Sequence, residues 1–148
     1  MGRTPPELLE RALANRVVDR VDAAGLMPSA VMILLYPKDG EYFILLNKRS
    51  EEVEHHKGEI SFPGGARDPE DIDSLATALR ETEEEMGIKR GDVTVIGEMD
   101  EIVTRSGFLV NVFTGTIEYP YTFNPSAVEI AEVLEFPVSA LTDPTNRR

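Results

Sequence analysis

The chain contains no cysteine, and its basic residues are few. Of its 148 residues, 15 are Lys or Arg and 27 are Asp or Glu, which gives a formal net charge of −12. The lack of cysteine excludes disulfide bridges, thiolate metal sites and a cysteine nucleophile, and it favours a reducing cytoplasm. The acidic excess argues against nucleic acid as a partner, because that binding depends on Lys and Arg neutralising phosphates.

Long apolar runs are absent as well. None approaches the roughly 20 residues that span a bilayer, and the opening "MGRTPPELLERALANR" lacks the apolar block of a signal peptide. We therefore expect no membrane association and a cytoplasmic location. The length suits one domain over residues 1–148, with a core of its own.

The order of elements predicts an α/β (α+β) fold with a mixed sheet. A helix is predicted over about residues 5–24, and two β-rich runs, Ala30–Tyr36 and Tyr42–Leu46, flank the turn sequence "PKDG" and predict a β-hairpin. A polar loop at 51–59 carries both histidines. A second helix, two more strand-like runs and a last strand complete the chain.

The second helix, over about residues 73–86, has two contrasting faces. Positions spaced by four, three and four share one stripe, which we expect to face the core. On the side of the helix opposite Leu79, the residues within an arc of about 100° around the helix axis are acidic. The core stripe comprises Leu75, Leu79, Thr82 and Met86, and the acidic arc comprises Glu81, Glu84 and Glu85.

The acidic arc is unfavourable for an isolated helix, because like charges repel and glutamates meet the negative end of the helix dipole. One interpretation is an ordinary solvated face. The other is a site for a hard cation such as Mg²⁺ or Mn²⁺, which prefers carboxylate ligands. Gly64 and Gly65 favour the second, because they let the backbone approach a ligand closely. Arg80 is placed to orient a carboxylate through a forked hydrogen bond, and Gly87 is predicted to end the helix.

The segment at residues 64–88, "GGARDPEDIDSLATALRETEEEMGI", resembles the Nudix box, Gly-x5-Glu-x7-Arg-Glu-U-x-Glu-Glu-x-Gly-U, where U is a bulky apolar residue. Its second half matches at Arg80, Glu81, Glu84, Glu85, Gly87 and Ile88. Its first half departs, since Asp71 stands in place of Glu and eight residues rather than seven separate it from Arg80. Thr82 stands where an apolar residue is usual. The extra residue fits a one-residue bulge before the helix.

Two flanking segments extend the resemblance. "LLNKRSEEVEHHKGEISFPGG" is similar to the signature of the Nudix subgroup that includes coenzyme A pyrophosphatases, although Asn47 replaces a usual Thr and Glu54 a usual basic residue. "NPSAVEIAEVLEFPVSAL" resembles the segment that leads into the last core strand, with Glu129 and Glu132 as its acidic positions. The resemblance implies a mixed sheet sandwiched by helices. The chain stops at "TDPTNRR", where the family normally continues into a closing C-terminal helix. Either this is a shortened form, or the N-terminal helix or a partner subunit, as in a homodimer, covers the surface that the helix would bury.

The resemblance also implies a mechanism and a set of site residues. Nudix enzymes hydrolyse a nucleoside diphosphate linked to another group, by attack of water on a pyrophosphate phosphorus. In this interpretation Mg²⁺ or Mn²⁺ is held by Glu81, Glu84, Glu85 and the carbonyl of Gly65, and Arg80 orients the glutamates. Glu84 is the expected general base, with Glu129 and then Glu101 as alternatives. The substrate contacts expected are Arg49, His56 and Lys57, with a loop-anchoring role as the alternative for His56 and ordinary surface charge for the other two.

The expected substrate is coenzyme A or a related nucleotide conjugate, a small molecule. ADP-ribose or another nucleoside diphosphate sugar is the alternative within the same class. A nucleotide-binding Nudix module without turnover, and an acidic interaction domain, are alternatives from other classes. The last of these leaves the pattern of Gly65 and Arg80 without an explanation.

Overall fold

The computed structural model describes residues 4–14, 25–51 and 58–142 of the chain. It confirms the α+β class with a mixed sheet. The elements in chain order are α1 (Pro5–Ala14), β1 (Met27–Lys38), β2 (Glu41–Arg49), β3 (Ile60–Ser61), β4 (Gly64–Ala66), α2 (Ser74–Met86), a 3-10 turn (Arg90–Asp92), β5 (Thr94–Glu98), β6 (Ile102–Val103), β7 (Phe108–Thr116), β8 (Ile130–Pro137) and α3 (Ser139–Thr142). The part of the predicted first helix at 15–24 lies outside the described residues.

The predicted hairpin is confirmed by strands β1 and β2. Lys38 pairs with Glu41, which leaves Asp39 and Gly40 as a two-residue turn. Their φ angles are 52° and 82°, so both residues are left-handed. Such a turn matches the natural twist of two antiparallel strands, and glycine adopts this conformation at little cost.

The sheet opens between β1 and β2. Strand β1 pairs in parallel with β7 along one edge, while its other edge pairs with β2 near its end and with β4 near its start. Strand β2 pairs along one edge with β8, and its last residues pair with β3. Because β1 and β2 diverge, β3 and β4 fill the space between them. This arrangement carries the backbone of Gly64 and Gly65 into the interior, beside helix α2.

Helix α2 packs against the sheet with the predicted stripe. Thr82 and Met86 are fully buried, and Leu75 and Leu79 pack against the same core, which includes alternate residues of β1. Burial of the Met86 side chain stabilises the fold by roughly 2–3 kcal/mol. The Thr82 hydroxyl donates a hydrogen bond to the carbonyl of Ala78 at 2.7 Å, so a polar residue is tolerated at this position.

The C-terminal end of α2 is closed by the segment that precedes β8. Gly87 has φ 73° and ψ 21°, and its N–H donates to the Glu83 carbonyl, so the predicted glycine cap is confirmed. The carbonyls of Met86 and Glu85 accept 2.8 Å hydrogen bonds from the backbone N–H groups of Asn124 and Ser126. The last turn of the helix is therefore fixed to a distant part of the chain.

After β8 the described chain continues into the short helix α3, and residues 143–148 lie outside the described part. The expected lack of a closing helix stays a prediction. Within the described ranges, no helix has the length and apolar character needed to cross a bilayer.

Candidate metal centre

Three carboxylates converge at one place in the molecule. Glu81 and Glu85 come from α2, and Glu129 comes from the residue before β8; one oxygen of each lies within 4.8 Å of the others. Glu81 and Glu85 were predicted as metal ligands. Glu129 was predicted only as an alternative base, and its place in the cluster depends on how the segment before β8 is joined to the end of the helix.

Glu85 is a buried carboxylate, with its side chain only 1% exposed. Its Oε1 accepts hydrogen bonds from the N–H of Gly64 at 3.1 Å and the amide of Asn47 at 3.5 Å, and its Oε2 accepts one from Arg49 Nη1 at 3.2 Å. Burial raises the pKa of Glu85 to about 7, and repulsion from Glu81 adds to the shift, while the Gly64 N–H and Arg49 oppose it.

Glu81 is largely buried too, and its pKa is also raised to about 7 by burial. The hydrogen bond from Arg80 Nη1 to its Oε1, at 2.7 Å, opposes that shift. Its carboxylate lies directly against the backbone of Gly65, where a Cβ atom would overlap it. A side chain at 65 would therefore displace the Glu81 carboxylate, so glycine is the residue that permits this close approach.

Arg80 is fixed by Asp71, a residue for which the sequence predicted no role. Its Nε and Nη2 donate to the two oxygens of Asp71 at 2.9 and 3.0 Å, a bidentate pair, and its Nη1 donates to Glu81 and to Glu84. The hydrogen bonds from Arg80 hold the pKa of Asp71 well below its usual range. The one signal in the sequence was that Asp71 occupies the place of a glutamate in the box.

The loop before α2 turns on itself at Asp68 and Asp71. The N–H of Asp71 donates to the carbonyl of Asp68, and the N–H of Asp68 donates to Asp71 Oδ2, both at 2.9 Å. The hydroxyl of Thr77 donates to the same oxygen at 2.8 Å. Asp71 therefore reaches Arg80 despite the different spacing.

Glu84 lies beside the three-carboxylate cluster rather than in it. Its side chain is 52% exposed, and its Oε2 accepts from Arg80 Nη1 at 3.2 Å. Its roles as a metal ligand and as the general base stay predictions. Glu83 points elsewhere and is half exposed, with Arg90 as its ion-pair partner at 3.7 Å.

Glu129 is held in place through its backbone. Its carbonyl accepts from the N–H of Ser50 at 2.8 Å, and its N–H donates to the hydroxyl of Ser126 at 3.3 Å. The Ser50 hydroxyl also donates to the carbonyl of Val128. Because the side chain is not used in these bonds, its carboxylate is available to a ligand.

The remaining predicted site residues have different positions. Arg49 contacts the cluster through Glu85, whereas His56 and Lys57 lie outside the described residues. Glu101 is apart from the cluster and, together with Glu98, accepts a hydrogen bond from the amide of Asn111.

The donor set fits a hard divalent cation. All three side chains offer oxygen, the ligand type that Mg²⁺ and Mn²⁺ prefer. Burial of Glu81 and Glu85 makes their negative charges costly, and a cation would offset that cost. The carbonyl of Gly65 stays a predicted donor, as do the oxygens of Glu84.

The mixed α+β fold and this carboxylate centre, placed on a helix that follows a glycine pair, define the class of the protein. The NUDIX domain model matches residues 26–146. The chain therefore belongs to the NUDIX family.

Relatives and solved structures agree with this membership. The uncharacterized Nudix hydrolase NudL of Yersinia enterocolitica is 34% identical over 137 residues, which cover 93% of this chain and 70% of the relative. The peroxisomal coenzyme A diphosphatase NUDT7 of Mus musculus is 33% identical over 115 residues, 78% of this chain and 49% of the relative. The match thus spans about half the length of the mouse protein.

Two solved structures share the fold. The Ap4A hydrolase of C. elegans, in a binary complex, has a TM-score of 0.63 and 21% identity, and the match covers 73% of this chain and 78% of that one. The NUDIX domain of Shewanella oneidensis NrtR, crystallised with ADP ribose, has a TM-score of 0.58 and 17% identity, with coverage of 95% and 87%.

Proposed function

We propose that this protein is a metal-dependent pyrophosphohydrolase that cleaves a nucleoside diphosphate conjugate, with coenzyme A or a related nucleotide as substrate. The observation that carries the proposal is the convergence of Glu81, Glu85 and Glu129 within 4.8 Å. A non-catalytic acidic surface gives no reason to bury two of these three carboxylates at a cost in stability.

The proposed mechanism assigns a task to each residue of the centre. Bound Mg²⁺ or Mn²⁺ supplies charge neutralisation on the phosphates and a lower pKa for attacking water. Glu81, Glu85 and Glu129 hold the metal. Arg80, fixed by Asp71, orients Glu81.

Proton transfer is assigned to Glu84. Its Oε2 is in contact with Arg80, which leaves Oε1, on a half-exposed side chain, to accept the proton of the attacking water. Glu129 is the alternative base, because it lies within the cluster. The reaction needs no covalent nucleophile.

The choice of coenzyme A depends on the similarity to the mouse diphosphatase and on the shared signature around Arg49 and Gly58. With coenzyme A the products would be adenosine 3',5'-bisphosphate and 4'-phosphopantetheine. Glu54, at a position where the subgroup usually has a basic residue, favours a substrate with less phosphate, such as ADP-ribose, as the second candidate.

A substrate panel tests the function. Coenzyme A, ADP-ribose, NADH and dinucleoside polyphosphates are incubated with the protein and Mg²⁺ or Mn²⁺, beside Glu81→Gln and Glu85→Gln variants. We expect one nucleotide class to be hydrolysed, with a loss of activity of about 100-fold or more in each variant. Nucleotide binding without turnover by wild type would instead identify a non-catalytic module.

A homodimer and a cytoplasmic location belong to the proposal as predictions. Light scattering checks the first, since a folded monomer at micromolar concentration would contradict it. Localisation of the tagged full-length protein checks the second.

A further inference from the structure

Arg49 and Glu85 form an ion pair at the centre. Glu85 Oε1 is held by the N–H of Gly64, whose backbone is fixed in the β4–β1 ladder opposite Val31. Glu85 Oε2 accepts from Arg49 Nη1 at 3.2 Å. Since Oε1 already accepts from two donors, the Gly64 N–H and the Asn47 amide, Oε2 is the oxygen of Glu85 with capacity left for a cation, and Arg49 is in contact with that oxygen.

We propose that Arg49 competes with the divalent cation for Glu85, so that metal binding releases the guanidinium from this carboxylate. The released Arg49 then binds a phosphate of the substrate, a step that rests on the proposed function. Metal binding would thereby precede productive substrate binding. In this role Arg49 balances the charge of a buried carboxylate before it becomes a substrate contact.

Both arginines of the centre contact a carboxylate of the three-carboxylate cluster. Arg80 forms a bidentate pair with Asp71, outside the cluster, and this pair can persist when Glu81 binds a metal. The contact of Arg49 with the centre is through Oε2 of Glu85, an atom that the metal needs. Two positive charges cannot share one buried oxygen without strong repulsion. Arg49 is therefore the arginine that the metal displaces.

If Arg49 competes with the metal, its removal changes the metal affinity in the opposite direction from the change expected for a supporting residue. If Arg49 only held Glu85 in position, its removal would weaken metal binding, because supporting residues raise metal affinity. If it competes, its removal leaves Glu85 more available and strengthens metal binding. The direction of the change in Mn²⁺ affinity therefore separates the two roles.

The test is a calorimetric titration of the full chain with Mn²⁺, without substrate, for wild type, Arg49→Gln and Lys48→Gln. Lys48 is the matched control, since it is the adjacent residue of β2, is exposed, and loses the same charge. We expect Arg49→Gln to bind Mn²⁺ about three- to tenfold more tightly and Lys48→Gln to change by less than about twofold. Equal or weaker binding by Arg49→Gln overturns the proposal, as does an equal gain in Lys48→Gln.

A second variant keeps the test valid if Arg49→Gln does not fold, which circular dichroism would show. Arg49→Lys keeps the charge on a shorter donor that cannot fork, and we expect its Mn²⁺ affinity to be above that of wild type. Affinity at or below wild type for this variant also overturns the proposal.

A failure of the proposed function can be distinguished from a failure of the competition proposal, because the titration needs no turnover. Tighter Mn²⁺ binding by Arg49→Gln in a protein that hydrolyses no nucleotide would support the competition and contradict the enzyme. If the enzyme is active, saturating Mn²⁺ should leave kcat of Arg49→Gln within about threefold of wild type while KM rises about tenfold. An unchanged KM would overturn the substrate contact.

Discussion

The carboxylate of Asp71 holds the guanidinium of Arg80 through two parallel hydrogen bonds of 2.9 and 3.0 Å. Asp71 lies in a turn before α2, and Arg80 lies within the helix, so the pair fixes the loop to the helix. The same guanidinium contacts Glu81 at 2.7 Å. The orientation of Glu81, a predicted metal ligand, therefore depends on Asp71, a residue outside the three-carboxylate cluster.

Replacing Asp71 should affect both stability and metal binding. In Asp71→Asn the bidentate charged pair is lost, and we expect urea denaturation to show a loss of roughly 2 kcal/mol and Mn²⁺ affinity to fall about tenfold. Asp68→Asn is the control, because Asp68 is exposed and its side chain accepts only from the N–H of Glu70 among the described contacts. Similar losses in both variants would show that turn structure, and not Arg80, is what matters.

The raised pKa of Glu85 predicts a pH dependence of the metal-free protein. Burial raises the pKa of Glu85 from 4.5 to about 7, so between these values the folded protein binds a proton that the unfolded chain has released. The contribution of Glu85 to the free energy of unfolding is therefore fully present below pH 4.5 and is lost as the pH rises through 7. A shift of this size corresponds to on the order of 3 kcal/mol. Urea denaturation in EDTA across this range, for wild type and Glu85→Gln, measures it. Parallel curves for the two proteins would contradict the assignment to Glu85.

Asp71 should act in the opposite direction at acidic pH. Its pKa is depressed in the folded protein below its ordinary value of 3.8, so its stabilisation is present above that value and lost as the pH falls further. The two effects occupy separate pH ranges and can be measured on one curve.

The adjacent glycines should respond differently to alanine. A Cβ at Gly64 would lie 2.7 Å from the Cα of Val31, in a rigid strand, whereas one at Gly65 would meet the carboxylate of Glu81. We expect Gly64→Ala to lose about 3 kcal/mol or more of stability. Gly65→Ala should lose about 1 kcal/mol while its Mn²⁺ affinity falls about tenfold.

Denaturation and Mn²⁺ titration of both glycine variants check this contrast. Gly91→Ala is the control, since its added Cβ would have no atom within 4 Å. Full Mn²⁺ affinity in a folded Gly65→Ala protein would mean that the close approach to Glu81 has no part in the site.

Substitutions at Glu129 and Glu132 should distinguish a metal ligand from an ordinary surface charge. Only Glu129 belongs to the cluster; Glu132 is exposed on β8, in register with Lys48. We expect Glu129→Gln to weaken Mn²⁺ binding by about tenfold or more and Glu132→Gln by less than about twofold. Isothermal titration measures both, and equal changes would reduce Glu129 to a long-range electrostatic effect.

Local features of the fold were predictable from sequence because local physics decides them. The "PKDG" turn requires two left-handed residues, and Gly87 ends α2 because glycine adopts positive φ without strain. The spacing of Leu75, Leu79, Thr82 and Met86 identified the core face of the helix.

The site was only partly predictable, because long-range pairing decides the rest. Helical periodicity placed Glu81 and Glu85 on one arc but gave no indication that Glu85 is fully buried, which follows from the pairing of β4 with β1. The inclusion of Glu129 in the cluster depends on how the segment before β8 is joined to the end of the helix. The partner of Arg80 was hidden by the extra residue between Asp71 and Arg80.

The hydrogen bonds of Ser126 link metal binding to the folding of the chain. The Ser126 N–H closes the helix at Glu85, and its hydroxyl fixes the N–H of Glu129. Detachment of the segment before β8 would therefore break the hydrogen bond at the helix end and displace the predicted ligand Glu129 in a single event. By mass action, a bound ion would stabilise only the state in which the two parts of the chain are joined. The affinity for the ion would thus measure completed folding, in addition to its part in the proposed chemistry.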